Sequence, residues 1–137
     1  MSQVHNILIV DDSEFQADVL VSILDDMGFT NITKAVNGID ALERFGAALR
    51  NGTGFSLVFL DILMPEMDGQ EALKRIRALE KEAGVDDNNK SIVIMSTSLS
   101  SPADMFTAIE GDCTDYVVKP VSENILRHML VKYGLMQ

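Results

Sequence analysis

The chain has 137 residues, 47% of them hydrophobic and 23% charged, which is enough to bury one core of ordinary domain size. Its 21 acids against 11 basic residues give a net charge of −10, a poor match for a polyanion that leads us to expect no direct nucleic-acid partner, because only Lys and Arg neutralise phosphates and release counterions. One cysteine, Cys113, excludes an intramolecular disulfide and a metal site built on thiolates.

Strand and helix signals alternate from the start. Residues 4–10 (VHNILIV) close in a continuous apolar run, the mark of a strand buried on both faces. Residues 14–27 then place Phe15, Val19, Ile23 and Met27 four apart, one stripe of a helix, with Gly28 as its stop. Residues 31–36 form a weak second strand, and residues 39–49 a helix with Leu42, Phe45 and Leu49 inward, ended by the turn-rich NGTG at 51–54. A third strand covers 55–60. A third helix covers 69–83, with Ala72, Leu73, Ile76 and Leu79 inward, and the polar GVDDNNK at 84–90 is a loop. A fourth strand covers 92–95. Ser101, Pro102 and Asp104 open a fourth helix as N-cap, first helical position and S-x-x-D box. The fifth strand is 115–118, and Ser122 caps a last helix holding Ile125, Leu126, Met129, Leu130 and Tyr133.

Five strands alternating with five helices predict a parallel sheet covered on both faces, and no segment is left over for a second domain. No apolar run, such as ILIV at 7–10 or LVFL at 57–60, is long enough to cross a bilayer, and MSQVHN has neither the basic start nor the apolar core of a secretory signal. Together with the cysteine count this points to the cytoplasm.

In open α/β sheets the chemistry sits at the carboxyl ends of the strands. Asp11 and Asp12 follow the first strand, Asp61 the third, Ser96 and Thr97 the fourth, and Lys119 (joined to Pro120) the fifth. Singly, each has an ordinary reading: a helix cap, a turn former, a surface lysine. Four strands delivering polar groups to one edge is a different matter. Clustered carboxylates repel one another, and burying them unpaired is costly. A hard divalent cation answers that, since Mg²⁺ takes oxygen ligands from carboxylates, water and phosphate. Lys119 adds a compact positive charge, and Ser96 a hydroxyl donor. Metal, ammonium and hydroxyl around one carboxylate describe a phosphoryl-transfer site, and a carboxylate can accept the group as an acyl phosphate.

The stretches ILIVDD (7–12), NGIDAL (37–42), VFLDILMPEMDG (58–69), IVIMS (92–96) and DYVVKP (115–120) closely resemble the receiver domain of two-component response regulators across nearly the whole chain. The resemblance implies a single receiver domain over 1–137, of flavodoxin-like (βα)5 three-layer architecture, with a parallel sheet of order 2-1-3-4-5. It implies that Asp61 accepts a phosphoryl group from a phosphohistidine on a histidine kinase or histidine phosphotransfer protein. Asp11, Asp12, Asp61 and the backbone carbonyl of Leu63 would hold Mg²⁺ or Mn²⁺. Lys119 would neutralise the phosphoryl group, Ser96 would swing toward it, and Tyr116 would move inward behind it. A downstream effector protein would read the change on the fourth helix, fifth strand and fifth helix, roughly 102–133.

The sequence departs from the pattern in three places. Asp40 stands where the family has Glu, and Ser96-Thr97 where it has Thr-Ala, so Thr97 competes with Ser96 as the switch hydroxyl. The glycine before the fifth strand comes one place early, in GDCT at 111–114, where Cys113 is expected to fill a small buried position. The alternative functions are a phosphatase with an Asp nucleophile and an unphosphorylated interaction module on the same fold. The first wants a second acid two residues after the nucleophile, where this chain has Leu63; the second has no use for the complete set of acids and Lys119. The expected product is therefore a signalling module that catalyses only its own phosphorylation and dephosphorylation.

Overall fold

The computed structural model describes residues 5–62, 67, 69–97 and 113–136. Five strands form one parallel sheet: β1 (Ile7–Val10), β2 (Ile32–Ala35), β3 (Leu57–Asp61), β4 (Ile92–Thr97) and β5 (Asp115–Val118), in the order β2-β1-β3-β4-β5. Between them run α1 (Glu14–Asp26), α2 (Gly38–Arg50) and α3 (Gly69–Glu82), and a C-terminal helix (Glu123–Lys132) follows β5. The expected fourth helix, from Ser101, lies outside the described residues, as do Leu63, Met64 and Pro65.

The central strands are apolar without alternation because helices cover both sides of the sheet. Every residue of β1 and β3 is buried. One face carries Leu8, Val10, Val58, Leu60, Val93 and Met95 against α2 and α3, through Phe45, Ala72, Leu73 and Ile76. The other carries Ile7, Ile9, Leu57, Phe59 and Ile94 against α1 and the C-terminal helix, through Leu24, Leu126, Met129 and Leu130. This is the expected three-layer sandwich in the expected strand order.

Two helical faces differ from expectation. Phe15 and Val19 are exposed (77% and 45%), while Ala17 and Leu24 are the buried residues of α1. Four residues advance an α-helix about 40° beyond a full turn, so a strict four-residue stripe spirals about 120° over Phe15–Met27. Its C-terminal members, Ile23 and Met27, reach the core and its N-terminal members rotate out to solvent. Ile125 is exposed for the same kind of reason, with Leu126, Met129 and Leu130 holding the inward positions.

Strand limits differ as well. His5 and Asn6 precede β1 and are not paired in the sheet, β3 includes Asp61, and β4 runs on to Thr97. Cys113 is half-buried against the α2–α3 side of the core rather than fully buried. Gly28 follows α1 at φ 98°, the left-handed conformation that a helix-ending glycine adopts without strain.

Candidate functional site: the carboxyl edge of the sheet

The register brings the strand ends together. Val10 pairs with Leu60 and Asp61 with Ser96, so residues at or just past these positions reach one edge. Ile62 N–H donates to the Ser96 carbonyl at 2.9 Å, fixing the end of β3 against β4. Beyond β1, Ser13 caps α1 by accepting from the Gln16 N–H, and its own N–H donates to Asp11 Oδ1 at 2.9 Å. The Asp11 carboxylate is thereby tied to the turn that starts the helix.

Asp11 and Asp61 are buried at 7% and 6% exposure, and Asp12 is exposed. Carboxylate oxygens of the three lie within 4.8 Å of one another. Lys119 Nζ stands between the buried pair, 2.8 Å from Asp11 Oδ2 and 3.1 Å from Asp61 Oδ2, and 2.5 Å from Gln16 Oε1. Burial pulls the Lys119 pKa down, but the hydrogen bond to Asp11 and the charges of Asp61 and Asp11 outweigh it, leaving the pKa above lysine's usual value. Lys119 is thus an ammonium, carried on a strand end whose peptide bond to Pro120 is cis.

The donor set fits a hard divalent cation. Three carboxylates face one ammonium, all the candidate ligands are oxygens, and the exposed Asp12 leaves one side open to water. Leu63, expected to add its carbonyl, lies outside the described residues.

Ser96 is buried and lines a cavity of about 380 Å³ with Asp11, Gln16 and Lys119, with Phe15, Val19 and Leu20 lining its α1 side. Thr97 pairs its backbone with Val118 at the end of β4. Tyr116 is half-buried and packs on the α2–α3 side of the core. On the neighbouring loop Asn37 caps α2 by accepting from Asp40 N–H at 2.8 Å. Asp40 in turn accepts from Val36 N–H at 3.2 Å and pairs with Arg44 at 3.1 Å.

The start of α3 is held close against the end of β3. Gly69 N–H donates to the Ile62 carbonyl at 2.8 Å, and a Cβ on Gly69 would lie 2.3 Å from the Asp61 carbonyl oxygen. The glycine is there for close approach beside the site, not for looseness. The sequence reading missed Gln16 altogether; its one signal is a polar side chain in the first turn of the helix that follows Asp11-Asp12.

The family model for the response regulator receiver domain matches residues 7–131. The chain belongs to the response regulator receiver family. As a receiver it is a phospho-accepting signalling module. It is 34% identical to the chemotaxis protein CheY of Bacillus subtilis over 116 residues, covering 85% of this chain and 86% of that protein. Among solved structures, the receiver superposes on the co-crystal structure of the Saccharomyces cerevisiae histidine phosphotransfer protein Ypd1 and the receiver domain of the response regulator Ssk1. That match has a TM-score of 0.80 and 30% identity, over 97% of this chain and 90% of the other. The CheX–CheY–BeF3–Mg²⁺ complex of Borrelia burgdorferi gives a TM-score of 0.79 and 28% identity, over 94% of this chain and 89% of the other. No helix among the described residues is long and apolar enough to cross a membrane.

Proposed function

We propose that Asp61 is the phospho-acceptor of a single receiver domain spanning the chain, charged from a phosphohistidine on a histidine kinase or histidine phosphotransfer protein. The observation that carries this is Lys119 Nζ lying between Asp11 and Asp61 with Asp12 beside them. An Asp61 oxygen bonds to phosphorus as the P–N bond of the donor breaks, and the imidazole leaves with the bonding pair. Asp11, Asp12 and Asp61, with the Leu63 carbonyl as the expected backbone ligand, are the residues that would hold Mg²⁺ or Mn²⁺. Bound there, the cation supplies neutralisation of the carboxylates and of the incoming phosphoryl oxygens.

Lys119 neutralises one phosphoryl oxygen and Ser96 donates its hydroxyl to another. Ser96 is favoured over Thr97 because it is buried and lines the cavity with Asp11 and Lys119. Phosphorylation adds roughly −1.5 to −2 of charge and three acceptor oxygens, enough to bias one packing of β4 and β5 over another. Tyr116, half-buried against the α2–α3 side of the core, would follow Ser96 inward. An effector protein would read the result on β5, the C-terminal helix and the segment before them, roughly 102–133. The partners are proteins of the cytoplasm; a net charge of −10 suits neither nucleic acid nor an anionic membrane surface. The Ypd1–Ssk1 and BeF3–Mg²⁺ structures support the donor class and the cation.

Acetyl phosphate with Mg²⁺ tests the reading directly. The wild type should take up one phosphoryl group and Asp61→Asn none, with no sustained turnover of a phosphate ester by either. Equal labelling of the two proteins would refute it.

A further inference from the structure

Lys119 Nζ is the meeting point of three acceptors: Asp11 Oδ2 at 2.8 Å, Asp61 Oδ2 at 3.1 Å and Gln16 Oε1 at 2.5 Å. An ammonium has three N–H groups, so these partners use its whole donor capacity. They are not equivalent. The two carboxylates hold Lys119 by charge as well as by hydrogen bond, whereas the amide of Gln16 offers only a dipole. Asp11 and Asp61 are buried; Gln16 is exposed.

Gln16 is brought to Lys119 by the turn that also holds Asp11. Ser13 accepts from the Gln16 N–H at 3.3 Å and donates its own N–H to Asp11. The side chain reaches across 103 positions of sequence to Lys119, over the cavity it lines with Asp11 and Ser96.

A phosphoryl group on Asp61 presents new acceptor oxygens to Lys119. The ammonium can bond to one of them only by giving up a present partner, and the exposed amide, which regains a hydrogen bond from water when released, is lost at less cost than a buried oxygen of Asp11 or Asp61. We propose that Gln16 is a positioning residue for the switch: it holds Lys119 in the resting site and competes with the phosphoryl group for the third N–H. Loading then exchanges Gln16 Oε1 for a phosphoryl oxygen, and the strength of the acceptor at position 16 sets how readily the loaded state forms. The inference rests on Asp61 being the acceptor.

The test is beryllofluoride binding to the full chain at saturating Mg²⁺, in wild type, Gln16→Met and Gln16→Ala. Both variants remove the acceptor but differ in volume, so a packing effect would separate them. Both should bind beryllofluoride more tightly than wild type by roughly 3- to 10-fold, the exchange value of one hydrogen bond to a neutral group. The ¹⁵N resonance of the Lys119 ammonium gives an independent readout. It should differ between wild type and Gln16→Met in the resting state and coincide once beryllofluoride is bound, because Gln16 has then let go in the wild type. Unchanged or weaker binding in both variants, or bound-state resonances that still differ, would overturn the role of Gln16 while leaving Asp61 as acceptor. A folded wild type that binds no beryllofluoride would overturn both.

Discussion

A Cβ placed on Gly69 would sit 2.3 Å from the carbonyl oxygen of Asp61 and 2.8 Å from the Cα of Ile62. Both neighbours are backbone, so neither can swing aside. Gly69→Ala should therefore push α3 away from the end of β3 and cost about 1–3 kcal/mol, the range for an overpacked site. Urea denaturation should show a lower midpoint with an unchanged slope, and acetyl phosphate labelling should fall with it. A variant as stable as wild type would mean that α3 starts elsewhere.

The outward rotation of α1 has an equally direct check. Phe15→Ser should change stability by less than about 0.5 kcal/mol, because the ring is 77% exposed. Leu24→Ala should cost about 2–5 kcal/mol, as expected for a fully buried side chain. A reversed ranking in denaturant midpoints would place the helix in the other register.

Metal binding should appear as stability. The three carboxylates at the sheet edge carry more negative charge than Lys119 offsets, so a cation that binds the folded chain should raise its melting temperature. At a free Mg²⁺ concentration 100 times the dissociation constant, the gain should be about 2.7 kcal/mol. Asp12→Asn removes an exposed ligand without opening the core and should lose most of that gain. An equal Mg²⁺ response in both proteins would exclude Asp12 from the ligand set.

Tyr133 donates its hydroxyl hydrogen to Asp115 at 2.6 Å and ties the end of the C-terminal helix to the start of β5. Burial, the hydrogen bond to Asp115 and that carboxylate's charge push the phenol from 10.0 up to about 12. A folded-state pKa above the unfolded one stabilises fully below pH 10, and the contribution is lost as pH rises through about 12. Tyr133→Phe should therefore cost about 1 kcal/mol at pH 8. The gap to wild type should close between pH 10 and 12, and a gap that stayed constant would assign the loss to something other than this hydrogen bond.

The buried pair on α3 makes a sharper stability prediction. Arg77 Nη1 lies 2.7 Å from Glu80 Oε1 and 2.9 Å from the Ser91 carbonyl oxygen. Glu80 Oε2 in turn accepts from Ser91 N–H at 2.6 Å, and Ser91 Oγ donates to the Phe55 carbonyl. Glu80→Leu alone takes the counter-charge from the buried guanidinium and the acceptor from the Ser91 N–H, and should cost about 3–5 kcal/mol. Adding Arg77→Met should recover part of that loss in a double-mutant cycle. Additive costs would show that the two side chains act independently.

The parts legible in the sequence were those written into contiguous stretches. Apolar strands ending in Asp11-Asp12, Asp61, Ser96 and Lys119 are enough to put these residues on one sheet edge, because the carboxyl ends of parallel strands necessarily face the same way. What was not legible depends on rotation or on distance along the chain. Phe15 and Val19 fit an apolar stripe, but the drift of a four-residue repeat around the helix decides which end meets the core. Nothing in the local sequence shows that Gly69 lies against the Asp61 carbonyl. Gln16 and Lys119 are joined only by folding, and no local pattern announces a hydrogen bond between residues so far apart. The Arg77–Glu80–Ser91 network likewise hides inside what reads as an ordinary surface pair on a helix.

The central claim is that Asp61 carries the phosphoryl group. Reduction with tritiated borohydride after exposure to acetyl phosphate and Mg²⁺ converts an aspartyl phosphate to labelled homoserine, and peptide mapping then locates it. The label should fall at position 61 alone and vanish when Mg²⁺ is chelated before the acetyl phosphate is added. Label at Asp11 or Asp12, or none at all in folded protein, would contradict the account.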